Sequence, residues 1–265
     1  MGAASTAHDS HTGSPEEEKM GEWIERGLAF KEFPAGEKKV PGIILLMEAY
    51  GVNEHFRRLA ARLAGWGYAV LVPDLYRRFP EERRVVAYSD RETAMGNLSR
   101  LKDEEAKEDI SRCLDILRSD PRVDRDRIGV VGFCMGGRLA FLSAGWFGEK
   151  IKAAVPFYGG GIGAPKGFFP GHTEVPLSLV PGIRADLLLL YGGKDDFIPE
   201  EERNAVAKAL SAANRSFRME TFPDAGHGFF CEDRPSYHKE SADRSEILLR
   251  EFLDRHLKSA PSRNG

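Results

Sequence analysis

The sequence predicts an α/β fold with a mostly parallel central sheet and helices on both faces, on three observations. Short continuous apolar runs recur at 43–47, 68–73, 128–132, 151–158 and 186–192, as strands buried on both faces require. Between them lie stretches with apolar residues at helical spacing. One run ends in a glycine-flanked turn, Gly132-Phe133-Cys134-Met135-Gly136, and opens into a helix. Repeated strand–helix alternation of this kind builds a parallel sheet.

In chain order, residues 1–22 are rich in Ser, Gly, Ala and Glu and are expected to form a disordered polar tail. A single domain is expected over 23–258, with a flexible tail over 259–265. Alternation of Ile24, Arg26, Leu28 and Phe30 predicts one strand from Trp23 to Phe33, stopped by Pro34-Ala35-Gly36. The buried run at 43–47 ends on Glu48-Ala49-Tyr50-Gly51, so a carboxylate sits at the carboxyl end of a strand, where open α/β sheets keep ligands. Phe56, Leu59, Ala60, Leu63 and Ala64 then predict a helix with Asn53 as its N-cap.

A strand at 68–73 leads into a long charged loop from Asp74, and a helix follows from about Glu104 to Ser119. The elbow strand spans about 127–132 and its helix about 138–147. After the strand at 151–158, residues 159–184 are rich in glycine and proline, the composition of a lid or binding loop. Its His172 is expected to be a solvated loop residue. The strand at 186–192, a helix at 200–213, a strand at 217–222 and a helix at 236–257 complete the chain.

Composition narrows the function. With 38 basic and 41 acidic residues the net charge is −3, so nothing draws the chain to nucleic acid or to an anionic membrane. Three cysteines, Cys113, Cys134 and Cys231, have neither disulfide-framework nor zinc spacing and suit a reducing compartment. The first twenty residues lack the apolar core of a signal peptide or anchor. A cytoplasmic protein is expected.

The chemistry centres on Cys134. Flanking glycines let a strand-to-helix turn push a nucleophile clear of the backbone, as in the G-x-S-x-G elbow of α/β-hydrolases, here with cysteine in place of serine. Free N–H groups at the helix N-terminus favour a thiolate there. Asp195 and His227 follow at later strand ends, giving the order nucleophile, acid, histidine. The imidazole would take and return a proton while the carboxylate fixes its tautomer. Asp195 comes first after its strand and is the better-placed acid; Asp196 is the runner-up, and Asp224 reads as a turn residue. The backbone N–H of Met135, next to the nucleophile, is suited to an oxyanion hole.

These residues carry a family resemblance. Met47-Glu48-Ala49-Tyr50-Gly51-Val52-Asn53, Pro73-Asp74-Leu75-Tyr76, Gly132 to Gly137, Asp195 to Pro199 and Gly226-His227-Gly228-Phe229 together resemble dienelactone hydrolase (carboxymethylenebutenolidase), over about residues 25–258. The resemblance implies the α/β-hydrolase fold and an enzyme opening an enol-lactone through a cysteine acyl-enzyme, with Cys134, Asp195 and His227 as triad. It implies that Glu48 interacts with the thiol and that Ala49 and Met135 supply the oxyanion-hole N–H groups.

Members acting on dienelactone resemble one another in reading the substrate carboxylate with two arginines. Arg91 matches one by spacing. The other is expected four residues after the histidine, where this chain has Cys231; Arg234 is the nearby substitute, and Tyr158 is a further candidate for substrate contact. A metal-free, cofactor-free hydrolase of small carboxylic esters or lactones is expected, as a monomer or small homo-oligomer. Its alternatives are a general ester or thioester hydrolase and a non-catalytic binding protein that retains the fold.

Overall fold

The computed structural model describes residues 21–36, 38–164 and 169–258. The two tail expectations therefore lie outside the described residues, apart from Gly21 and Glu22. These two already belong to the sheet edge: Glu22 begins the first strand and Gly21 N–H donates to Glu32 at 2.8 Å.

The stretch expected as one strand is a hairpin. β1 (Glu22–Ile24) and β2 (Ala29–Glu32) pair antiparallel. Glu25, Arg26 and Gly27 turn the chain with φ of 44°, 54° and 85°. Only the last is a residue at ease there. β2 runs antiparallel on β4 (Ala69–Pro73). The rest of the sheet is parallel: β4, β3 (Val40–Leu46), β5 (Val123–Phe133), β6 (Ala153–Phe157), β7 (Asp186–Gly192) and β8 (Phe217–Phe222). The eight strands lie in the order β1-β2-β4-β3-β5-β6-β7-β8. This is the mostly parallel α/β sheet that the apolar runs predict.

Helices cover both faces. Gly42 of β3 faces Leu117 of α3 (Asp103–Ser119), whereas Gly129 of β5 faces Leu257 beyond α6 (Lys239–Leu253). Gly42 pairs with Ile128, the neighbour of Gly129, so the two glycines look out of opposite sides. α1 (Glu54–Gly65) joins α6 through Arg62 and Glu246 at 2.7 Å, and its Asn53 cap accepts from Phe56 N–H. α4 (Met135–Phe147) joins α3 through Arg138 and Asp103. α5 (Glu200–Ala212) connects β7 to β8.

Two expected loops carry more structure than their composition shows. The charged segment after Asp74 contains a helix, α2 (Arg91–Arg100), capped by Asp90 accepting from Thr93 N–H at 3.0 Å. The described residues of 159–184 include a 3₁₀ turn at Pro176–Gly182 and are held by hydrogen bonds to the helices. Ile162 N–H donates to Glu202 at 3.0 Å, Glu174 N–H donates to Asp103 at 2.9 Å, and Trp146 Nε1 donates to Glu174 at 3.0 Å. Its described parts thus brace α3, α4 and α5. His172 is half-buried in it, not solvated: burial and then the Arg138 charge push it down to about 4.

Candidate active site

The end of β5 is bent sharply. Cys134 has φ 56° and ψ −117°, a conformation that costs a non-glycine residue energy and persists only when its surroundings enforce it. The enforcement is visible: Cys134 N–H donates to Phe157 of β6 at 3.0 Å, and its carbonyl accepts from Arg138 N–H at 3.1 Å. A Cβ at Gly132 would collide with the Gly136 carbonyl, and one at Gly136 with the Leu46 and Met47 carbonyls. Both glycines are therefore required by close packing across the turn. The thiol is left partly exposed at the start of α4.

The carboxyl ends of β7 and β8 bring two groups to this thiol. His227 Nδ1 lies 2.8 Å from Asp195 Oδ2, and since a carboxylate only accepts, Nδ1 donates. Asp195 is buried, and its other oxygen accepts from Phe197 N–H at 2.9 Å. Asp196 is exposed, and Asp224 is exposed and paired with Lys194 at 2.8 Å. Neither meets the histidine. Cys134 adjoins the same ring closely enough to act on its proton affinity. Burial by itself would lower the His227 pKa, but the Cys134 charge, the bonds to Asp195 and Cys134 and the Asp195 charge outweigh it and raise it to about 10. Tyr158 and Phe197 stand edge-on to the imidazole, with ring centroids at 5.2 and 5.3 Å.

Facing the elbow from the next strand is the segment after β3. Ala49 and Met135 present backbone N–H groups that make no hydrogen bond among the described residues. For Met135 this follows from its place as the first residue of α4. Tyr76 spans the two, with its hydroxyl donating to Ala49 C=O at 3.2 Å and lying 3.7 Å from Met135 Sδ. The sequence offered only the motif around Asp74 as a sign of this tyrosine.

Glu48 is buried and fully engaged. Oε1 accepts from Tyr158 hydroxyl at 3.0 Å and Oε2 from Arg234 Nη1 at 3.2 Å. Tyr158, expected at the substrate, is instead completely enclosed, with φ 36°, and its hydroxyl serves Glu48. Burial opposes the Arg234 charge, yet Glu48 and then Cys134 hold its pKa above the usual arginine value. The guanidinium lies 5.5 Å from the Tyr50 ring centroid and 5.9 Å from that of Tyr88.

Arg91 is exposed at the start of α2 and lies 5.5 Å over the Phe197 ring, the same ring that abuts His227. It is thus brought to the rim of the site on an aromatic platform. Cys231, at the place where a second arginine is expected, is buried and donates to Tyr88 hydroxyl at 3.1 Å. Of the platform residues, Tyr50 and Phe197 lie inside motifs singled out in the sequence but without a role of their own, and nothing local distinguishes Tyr88 from other aromatics.

Comparison with known proteins agrees with this architecture. The chain matches the dienelactone hydrolase family over residues 28–257. It is 34% identical over 221 residues to a Yersinia pestis protein named "Putative carboxymethylenebutenolidase", covering 83% of this chain and 80% of that one. It is 30% identical over 217 residues to the "Carboxymethylenebutenolidase" of Rhodococcus opacus, covering 81% of each. A crystal structure of a "Putative Dienelactone Hydrolase" from Klebsiella pneumoniae superposes with a TM-score of 0.76 at 30% identity, covering 86% of this chain and 92% of the other. This chain is a member of the dienelactone hydrolase family and a hydrolase of the α/β-hydrolase fold.

Proposed function

We propose that this hydrolase opens small carboxylic esters or lactones through a thioester formed on Cys134. The observation that carries the reading is the continuous line of contacts from Asp195 through His227 to Cys134, facing two unpaired backbone N–H groups.

In this reading the substrate carbonyl oxygen points at Ala49 and Met135 N–H. The Cys134 sulfur attacks the carbonyl carbon, and negative charge develops on an oxygen that the two donors stabilise. The acyl C–O bond then breaks. His227, as imidazolium, delivers its proton to the departing oxygen, which in a lactone stays tethered to the acyl group. A water then gives a proton to the neutral imidazole and attacks the thioester, releasing the acid and restoring the thiolate–imidazolium pair. Asp195 keeps Nδ1 protonated throughout, so the other nitrogen always faces the reacting atoms.

Substrate class is read from the rim. Arg91, exposed at the site mouth and with no ion pair among the described residues, suits a substrate carboxylate, while Arg234 is committed to Glu48. That commitment favours a second reading, a hydrolase of neutral esters or thioesters, in which no substrate carboxylate is needed. The test is turnover of p-nitrophenyl acetate beside a carboxylated dienelactone, with intact-mass detection of an acyl adduct. An adduct on wild type that is absent from Cys134→Ala supports the thioester. Turnover without dependence on Cys134 overturns it, and a preference for the neutral ester moves the substrate class to the second reading.

A further inference from the structure

Beyond the hydrolytic centre, a second group of chemically capable side chains meets where the N-terminus of α1 approaches the segment following His227. His55, Cys231 and Asp233 each offer one ligand atom, and these atoms lie within 4.8 Å of one another. His55 and Cys231 are buried and Asp233 is exposed, so the cluster has an apolar floor and an open side. Neither ring nitrogen of His55 makes a hydrogen bond among the described residues, although the side chain is only 6% exposed. Its ring is held instead by the Phe56 and Phe230 rings, with centroids at 5.4 and 6.3 Å. An imidazole with no side-chain or backbone partner, beside a thiol and a carboxylate, keeps a lone pair available for a ligand.

We propose that His55, Cys231 and Asp233 form a binding site for a thiophilic divalent cation of the Zn²⁺ class. One nitrogen, one sulfur and one oxygen are the donor types zinc takes, at about 2.0–2.3 Å, in three-ligand sites that leave a fourth position to water. A tetrahedron of that size needs donor atoms about 3.5 Å apart, so the cluster closes by roughly 1 Å. The movement costs little at Asp233, whose present partner is the exposed Arg58, at 2.8 Å.

The proton balance is simple. Cys231 loses its thiol proton to solvent as the metal–sulfur bond forms, and His55 binds as neutral imidazole. Tyr88 already supports the exchange. Its hydroxyl oxygen accepts from Asn53 at 2.9 Å and from the Cys231 thiol, so its own proton is available to turn toward a metal-bound thiolate. Partners of this kind orient and strengthen a metal ligand. The charge of Glu48 reaches both His55 and Cys231 and adds attraction for a cation. The site does not depend on the hydrolytic reading.

The test uses Co²⁺ as a chromophoric probe on the full chain carrying Cys134→Ser, so that the elbow thiol cannot supply the signal. One equivalent of Co²⁺ should produce a thiolate-to-cobalt charge-transfer band that one equivalent of Zn²⁺ abolishes. Adding Cys231→Ser should remove the band, and His55→Gln or Asp233→Asn should each weaken binding by at least about tenfold. Arg58→Ala, at the surface, should tighten binding by releasing Asp233. Zn²⁺ should also raise the Tm of the parent and of Arg58→Ala, but not of the Cys231→Ser protein, because only a native site gains from ligand. The proposal is overturned by a band that survives Cys231→Ser, by absence of the band at millimolar Co²⁺, or by an Arg58→Ala protein that binds no more tightly than its parent.

Discussion

Arg138 and Asp103 meet through two bonds, at 2.5 and 3.0 Å, whereas Arg234 and Glu48 meet through one, at 3.2 Å. The first pair is closed on every side: both side chains are 2% exposed, Asp103 also accepts from Glu174 N–H, and Arg138 donates to Glu174 C=O. The second pair has a partly exposed guanidinium resting on two tyrosines, beside a thiol whose charge it feels. A bidentate pair has one geometry and behaves as a rivet. A single contact beside the thiol leaves the guanidinium free to turn while it stays paired with Glu48. An arginine and a carboxylate thus serve to fasten in one place and to adjust in the other, and the number of contacts separates the two roles.

The comparison breaks most easily at the chemistry it presupposes. If Arg234 and Glu48 adjust a thiol–imidazole unit, Cys134→Ala and His227→Ala should each remove on the order of 10⁴-fold or more of turnover. The double variant should be no worse than either, and losses that multiply would show two independent residues. Next comes the rivet. Asp103→Ala leaves a buried guanidinium unpaired and should cost about 3–5 kcal/mol, or roughly 10 °C in Tm. Arg234→Gln should shift Tm far less, and equal shifts measured by calorimetry would erase the distinction.

A third measurement follows His227 by NMR. Its raised pKa of about 10 rests on the Cys134 charge and two hydrogen bonds acting against burial. Cys134→Ser removes the thiolate and leaves burial in place, so the value should fall by more than about one unit, a tenfold change in proton affinity. A value unmoved by the substitution would show that the pair is not coupled. Smaller still is the rate of iodoacetamide alkylation of Cys134 at neutral pH. Glu48→Gln should raise it severalfold and Arg234→Gln should lower it, since the first removes a negative charge near the thiolate and the second uncovers one. The least effect belongs to the rim: Arg91→Ala should raise KM about twofold for a carboxylated lactone and leave a neutral ester unchanged.

What was legible in the sequence follows the range of the interactions involved. β3, β7 and the helix α1 are written in local patterns, an apolar run or a capped helical period, and they appear nearly where those patterns place them. The elbow was legible because Gly132 is demanded by a contact only four residues away and the strand, turn and helix follow one another without a break. α2 was not, since one of its few buried positions is the polar Asn97, which is satisfied by Arg83 and breaks the apolar pattern. The hairpin at 22–32 was hidden because Ile24, Leu28 and Phe30 keep alternating through a turn made mostly of charged residues. Arg138 and Asp103 are 35 residues apart, and Glu48 and Arg234 are 186 apart. No local pattern encodes such meetings. The aromatic platform under Arg91 and Arg234 and the half-buried place of His172 are likewise products of tertiary packing.

The two backbone donors at the elbow have a consequence for which parts of the chain can change over time. β3 and β5 are matched at Leu46 and Gly132, and Ala49 and Met135 each lie three residues beyond that pair. Their separation is therefore measured out by the sheet register. One residue gained or lost in either strand near this pair would displace a donor by about 3.3 Å relative to the other. An insertion between α1 and β4, or in the charged stretch around 81–90, leaves that spacing alone. Lineages that diversify this scaffold should accumulate length changes around the rim, where Arg91 and Tyr88 sit, while the two strands stay fixed in length.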